Sequence, residues 1–160
     1  MDNALTGTYS DRRPTSPPGP QAIPLPNTAP AVASPQRSLR ILCIDDDEQF
    51  LEMMKDCLSH YQHQVRVASG GKYGIELFCT AILKSEPFEV VITDLRMPDM
   101  DGYLVAQVIK AESPHTPVIV MTGDGVAGGG GGSMASTVDA VVGKPPHMQE
   151  LNELLLRMTA

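Results

Sequence analysis

The alternation of apolar and polar positions along this chain predicts five short strands separated by amphipathic helices. Each strand candidate is a short run of mostly apolar or β-branched residues bounded by turn-forming residues. The strand candidates are 40–44, 64–68, 88–93, 118–121 and 138–142. In the segments that follow most of them, apolar residues recur three and four positions apart, which is the spacing of one helix face. The apolar positions of the first three helix candidates span 50–58, 75–83 and 103–109, and the last helix is predicted over 149–158.

This order of elements predicts the fold class. Strands alternating with helices are typical of α/β domains, in which a parallel sheet is covered by helices on both faces. Because the connections between parallel strands are right-handed, the chain winds to both sides of the sheet. We therefore expect an α/β fold with a doubly wound, five-stranded parallel sheet.

The first helix begins after an acidic run, where Asp46 or Asp47 can cap its N-terminus. Its apolar face is formed by Phe50, Leu51, Met54, Cys57 and Leu58. His60 and His63 fall at its end and beyond it, and we interpret them as a cationic last turn and a solvated loop rather than as metal ligands. The apolar face of the 103–109 helix is predicted to contain Tyr103, Leu104, Val105, Val108 and Ile109.

The alternation predicts one helix in a segment whose composition disfavours helix formation. A helix should lie between Val126 and Val138, but Gly128 to Gly132 are five consecutive glycines. At about 1 kcal/mol for each glycine relative to alanine, this run disfavours a helix by roughly 5 kcal/mol. The helix before the fifth strand is therefore predicted to be short or disordered.

The first 37 residues differ in composition from the rest. They contain eight of the fourteen prolines and have no helical or strand period. Such a segment cannot bury enough apolar surface to offset the entropy of ordering. We predict a disordered, proline-rich tail over 1–37, acting as a tether or as a polyproline II ligand, and one folded domain over 38–160.

Charge and cysteine content restrict the partners and the compartment. Twelve basic and nineteen acidic residues give a net charge of −7, which argues against direct binding of nucleic acid. The three cysteines lack metal-ligand spacing, and their odd number argues against a disulfide framework, so a cytoplasmic location is expected. The apolar runs are strand-sized and the N-terminus has no hydrophobic leader, so no membrane association is expected.

Polar side chains that can take part in binding or catalysis cluster at the predicted strand ends. Asp45 and Asp46 follow the first strand, Asp94 the third, Thr122 the fourth and Lys144 the fifth. In a parallel sheet these ends lie along one edge, where functional groups of such folds gather. Three converging carboxylates need a hard cation such as Mg²⁺, and lysine and threonine can hold the oxygens of a phosphoryl group. Asp94, on a central strand, is the natural phosphoryl acceptor.

Four stretches carry a resemblance to a known family: Ile41 to Asp47, Val91 to Gly102, Val120 to Gly123 and Gly143 to Pro145. In order and spacing they resemble the signature stretches of the response regulator receiver domain of two-component signalling. The resemblance implies the flavodoxin-like strand order 2-1-3-4-5. It also implies phosphorylation of Asp94 by a phosphohistidine on a sensor histidine kinase or a histidine phosphotransfer protein.

The resemblance also assigns roles to individual residues. It implies that Asp46 and Asp94 bind Mg²⁺ directly, that Asp45 binds it through water, and that the backbone carbonyl of Arg96 is a further ligand. Thr122 and Lys144 would contact the phosphoryl oxygens, and the bond from Lys144 to Pro145 would be cis. The family usually has an aromatic residue three positions before the lysine, and this chain has Val141 there.

The resulting hypothesis is a stand-alone receiver, a phosphorylation-controlled binding or relay module that is not an enzyme and loses its phosphoryl group slowly. Its output partner is not identified by the sequence. One alternative is a haloacid-dehalogenase-type Mg²⁺ phosphotransferase with Asp45 as its nucleophile, since Asp45 and Asp47 fit an Asp-x-Asp pattern. A phosphate-independent scaffold is the other alternative, and the intact acidic set argues against it.

Overall fold

The computed structural model describes residues 37–123 and 137–160, and the predicted alternation of strands and helices is present there. The strands are β1 (Arg40–Ile44), β2 (Gln64–Ala68), β3 (Val90–Asp94), β4 (Val118–Thr122) and β5 (Ala140–Gly143). The helices are α1 (Glu48–His60), α2 (Gly71–Leu83), α3 (Gly102–Glu112) and α4 (Met148–Met158). The third and fifth strands begin two residues later than the pattern predicts, and the other three strands begin at the predicted residue.

The five strands form one parallel sheet in the order β2-β1-β3-β4-β5. This confirms the doubly wound, flavodoxin-like topology. β3 and β4 are buried along their whole length, while β2 forms an edge and has an alternating pattern of exposure. Since all the strands run in one direction, their carboxyl ends share one edge of the sheet, as the topology requires for a site built from several strands.

Alternate residues of the central strands supply two separate cores. In β1, Ile41 and Cys43 pack on the face covered by α1 and α4, whereas Leu42 and Ile44 pack on the face covered by α2 and α3. The helices contribute their buried residues to these same clusters: Leu51, Met54, Leu58, Leu151 and Leu155 on the first face, and Phe78, Ala81, Val105, Ala106 and Ile109 on the second. The period of two along the strands therefore explains why both faces of the sheet are apolar.

The position of Leu104 differs from its predicted role. It was expected on the apolar face of α3, but it is 44% exposed, and Ala106 is fully buried instead. Successive residues on a helix are about 100° apart, so a wide apolar run does not define which of its members faces the core. Contact with the sheet selects Val105, Ala106 and Ile109.

The interpretation of His63 as a solvated loop residue is wrong. Only 4% of its surface is exposed. Its Nδ1 accepts a hydrogen bond from the Leu39 N–H at 3.1 Å, and its Nε2 lies 2.7 Å from Asn152 Oδ1 on α4. Because Nδ1 acts as an acceptor, the proton belongs on Nε2, which donates to Asn152. His63 therefore joins the starts of β1 and β2 to the last helix.

Two expectations lie outside the described residues: the disordered tail, and the short or disordered helix around Gly128 to Gly132. Within the part of the chain that the structure describes, no helix is both long enough and apolar enough to span a membrane.

Candidate functional site

Asp94 is the last residue of β3, and only 8% of its surface is exposed. Its Oδ2 accepts a hydrogen bond from the Arg96 N–H at 2.9 Å, which fixes the carboxylate against the loop that follows. The loop is held close to the strand because Gly102, the first residue of α3, has no side chain. A Cβ at Gly102 would lie 2.3 Å from the backbone oxygen of Asp94.

The three aspartates after β1 have different surroundings. Asp45 is 2% exposed, its N–H donates to Ala68 O, and its Oδ1 accepts from the Asp47 N–H at 2.9 Å. Asp46 is exposed at the edge of the sheet. Asp47, one of the two caps that the sequence predicts, is the N-cap of α1. Its Oδ1 accepts hydrogen bonds from the Gln49 and Phe50 N–H groups. One sequence run therefore supplies a buried carboxylate, an exposed carboxylate and a helix cap.

Lys144 follows β5 and crosses the edge of the sheet to reach both buried carboxylates. Its Nζ lies 2.5 Å from Asp45 Oδ2 and 2.7 Å from Asp94 Oδ1. Its N–H donates to Thr122 O at 2.9 Å, and its bond to Pro145 is cis, as predicted. Desolvation alone would lower the pKa of Lys144, but the hydrogen bonds and charges of Asp45 and Asp94 raise it, so the ammonium is charged at neutral pH.

Thr122 completes the row of strand ends. It is the last residue of β4, it is 7% exposed, and it lies opposite Gly143 in the β4–β5 register. The structure thus places Asp45, Asp94, Thr122 and Lys144 along the same edge of the sheet, with the exposed Asp46 beside them.

The acidic group has the composition expected of a hard-cation site. Asp45, Asp46 and Asp94 each offer a carboxylate oxygen, and these oxygens all lie within 4.8 Å of one another. Burial raises the pKa of Asp45, and the hydrogen bond from Lys144 opposes that rise. An all-oxygen set with few protein ligands suits Mg²⁺, which retains several of its waters. The donor set therefore fits the predicted metal.

The sequence did not single out one aromatic contact at this site. Phe50 was assigned only to the apolar face of α1, but its ring centroid lies 4.4 Å from Lys144 Nζ. The available signal was its position in the first turn of a helix that starts directly after the acidic run. Only the fold brings that turn to the lysine that follows β5.

The fold and this edge of the sheet define a class: a flavodoxin-like α/β domain with acidic residues, a threonine and a lysine at the carboxyl ends of its strands. Residues 41–156 match the family model described as the response regulator receiver domain. The chain belongs to this family, whose members are the phosphoaccepting modules of two-component signalling.

Known proteins similar to the chain carry this domain in different contexts. The signal transduction histidine-protein kinase BarA of Escherichia coli K12 is 27% identical over 131 residues, which is 80% of this chain and 14% of the kinase. The chain thus spans about one seventh of that relative's length. A response regulator receiver domain protein from Clostridium thermocellum is 29% identical, with a TM-score of 0.68 over 76% of this chain and 94% of that chain.

A further solved structure supports the fold. The receiver domain of a sensor histidine kinase from Pseudomonas aeruginosa, described with a magnesium ion coordinated in its active-site cleft, aligns with a TM-score of 0.64. It is 21% identical and covers 77% of this chain and 98% of that chain.

Proposed function

We propose that Asp94 accepts a phosphoryl group from a phosphohistidine on a sensor histidine kinase or a histidine phosphotransfer protein, and that phosphorylation controls binding of an output partner. One observation carries the proposal. The buried Asp94 carboxylate lies 2.7 Å from the Lys144 ammonium and belongs to a cluster of three carboxylates. Membership of the receiver family supports the same direction of phosphoryl transfer, from the histidine donor to the aspartate.

The contacts of Asp94 suggest which of its oxygens reacts. Oδ2 is held by the Arg96 N–H, and Oδ1 faces the Lys144 ammonium. In the proposed step, Oδ1 attacks the phosphorus, the P–N bond to the donor imidazole breaks, and the imidazole leaves with the bonding electron pair. Lys144 then moves with the transferred charge onto a phosphoryl oxygen, and the Thr122 hydroxyl donates to another.

Asp45, Asp46 and Asp94 would hold Mg²⁺, with the Arg96 carbonyl as the further ligand that the family resemblance implies. When bound, the ion neutralises charge on the carboxylates and on the phosphoryl oxygens. The magnesium ion described for the Pseudomonas receiver domain is consistent with this assignment. The chain's own contribution is to hold the carboxylates close together, which they would otherwise resist through like-charge repulsion.

The competing assignment of Asp45 as a nucleophile has less support. Both of its oxygens are engaged, Oδ1 by the Asp47 N–H and Oδ2 by Lys144 Nζ, and it is 2% exposed. We propose that Asp45 organises the site and that the acyl phosphate forms on Asp94. The scaffold alternative does not account for the lysine and the carboxylates meeting within hydrogen-bond distance.

Three further parts of the proposal concern the lifetime of the acyl phosphate, the compartment of the protein and the stand-alone arrangement of the domain. The acyl phosphate would hydrolyse slowly, without a free substrate being turned over. The three cysteines, Cys43, Cys57 and Cys79, are free thiols, in keeping with a reducing cytoplasm. The stand-alone arrangement stays a prediction, because relatives such as BarA carry the domain within longer chains.

Incubation with acetyl phosphate and Mg²⁺, followed by intact mass measurement, tests the proposal. The wild type should gain one phosphoryl group, Asp94→Asn should gain none, and Asp56→Asn, an exposed carboxylate on α1, should match the wild type. Asp45→Ala separates the alternatives, since labelling abolished by Asp45→Ala but retained by Asp94→Asn would assign the nucleophile to Asp45. No labelling of the wild type would contradict phosphoacceptance.

A further inference from the structure

Phe50 has a fixed position beside the phosphoacceptor site. It lies in the first turn of α1, where its N–H donates to the cap residue Asp47 at 3.1 Å. Its side chain is half-buried and packs on the core beneath α1 and α4. The helix cap and the core therefore both restrain the ring, which lies 4.4 Å from Lys144 Nζ.

Lys144 needs such restraint because its side chain is long and flexible. A lysine loses most of its rotamer freedom when its ammonium is held in one place. Carboxylates of Asp45 and Asp94 attract this ammonium in the resting site, but phosphoryl transfer changes the contact to Asp94, whose carboxylate becomes an acyl phosphate. The aromatic face is unchanged by phosphorylation, and its negative electrostatic potential attracts the cation in either state.

We propose that Phe50 is a positioning residue, whose ring holds the Lys144 ammonium over the phosphoacceptor so that it can bind the phosphoryl oxygens. This inference rests on the proposed function and adds a residue to its machinery. It has a distinctive consequence because Lys144 and Mg²⁺ are both cations that interact with Asp45 and Asp94. Loosening Lys144 should weaken capture of a phosphoryl group and should leave Mg²⁺ binding equal or tighter.

The test compares Phe50→Leu, which keeps apolar bulk without a π face, with Phe50→Tyr, which keeps the ring. Beryllofluoride, a phosphoryl mimic, is titrated into the full chain at saturating Mg²⁺ and followed by calorimetry. We expect Phe50→Leu to bind it about three- to tenfold more weakly and Phe50→Tyr to stay within about twofold of the wild type. The rate of labelling by acetyl phosphate should fall by a similar factor in Phe50→Leu alone.

Mg²⁺ titration without beryllofluoride separates loss of the aromatic contact from general damage to the site. General damage would also weaken Mg²⁺ binding. A Phe50→Leu variant that loses Mg²⁺ affinity together with beryllofluoride affinity would overturn the inference, as would unchanged beryllofluoride binding. If Phe50→Leu does not fold, as judged by circular dichroism, Phe50→Met replaces it with the same expected pattern. A wild type that binds no beryllofluoride and gains no phosphoryl group would instead overturn the proposed function, and the inference with it.

Discussion

Three consecutive aspartates show how surroundings assign different tasks to one residue type. Asp45 is buried and has a raised pKa, because desolvation outweighs the hydrogen bond from Lys144. Asp46 is exposed and is the carboxylate that we propose binds a hydrated cation, while Asp47 uses its carboxylate to accept hydrogen bonds from N–H groups of α1. Each role follows from where the backbone turns after β1, so the position of each aspartate, and not its residue type, decides what it does.

Gly102→Ala tests the close approach of α3 to Asp94. The added methyl group would lie 2.3 Å from Asp94 O, and this is a backbone atom that cannot move without displacing β3. We expect the free energy of unfolding to fall by about 1–3 kcal/mol in urea titrations, with slower labelling of Asp94.

The matched control is Gly143→Ala, because a Cβ at Gly143 meets nothing within 4 Å. It should change stability by far less than Gly102→Ala. Equal stability of the two variants would show that the loop after β3 can relax, contrary to this prediction.

At the scale of elements, α2 receives its N-terminal cap from another part of the chain. Its own N-cap, Gly70, has a φ of 128° and no side chain. The carboxylate of Asp99, in the loop between β3 and α3, instead accepts from the Gly71 and Lys72 N–H groups at 3.3 and 3.0 Å. The loop that follows Asp94 is thereby fastened to α2.

Asp99→Ala should therefore destabilise the domain by about 1 kcal/mol, as loss of a helix cap does. The hydrogen bond from the Lys72 N–H, aided by that from Gly71, lowers the pKa of Asp99. The stabilisation from the ionised form is complete above the unfolded-state pKa and is lost as pH falls through the lowered folded-state pKa.

Urea titrations of the wild type and Asp99→Asn at several pH values check this dependence. Asparagine keeps an acceptor but has no charge to titrate, so the difference in stability between the two proteins should shrink in acid. A difference that grew as the pH fell would contradict the assigned cap.

The attachment of α4 gives a second prediction at this scale. Asn152→Ala removes the acceptor of the His63 Nε2–H in a buried site, which should cost about 1–3 kcal/mol of unfolding free energy. Gln149→Ala is the control, because Gln149 lies on the exposed side of the same helix. Equal stability of the two variants would argue against a structural role for the buried pair.

For the whole molecule, a parallel sheet gathers charged groups from distant parts of the chain. The positive charge of Lys144 partly neutralises Asp45 and Asp94, and the exposed Asp46 adds a further negative charge. Folding therefore brings like charges together, and a divalent cation that binds only the folded chain should stabilise it.

Addition of Mg²⁺ should raise the free energy of unfolding of the wild type by about 1.4 kcal/mol when its concentration is ten times the dissociation constant. Thermal unfolding at matched ionic strength measures this effect. Asp46→Asn should lose most of the stabilisation, whereas Asp56→Asn on α1 should retain it. A similar response in both variants would mean that Mg²⁺ acts by general screening.

The sequence by itself determined the alternation of strands and helices, the parallel sheet and the residues at its carboxyl edge. These depend on local periodicity and on strand ends, which are visible along one dimension. Only the tertiary structure decided that His63 is buried against Asn152, that Leu104 is exposed, that Asp99 caps α2 and that Phe50 touches Lys144. Each of these depends on contacts between elements far apart in the chain, and hydrophobic periodicity does not encode such contacts because it records only which face of an element is apolar.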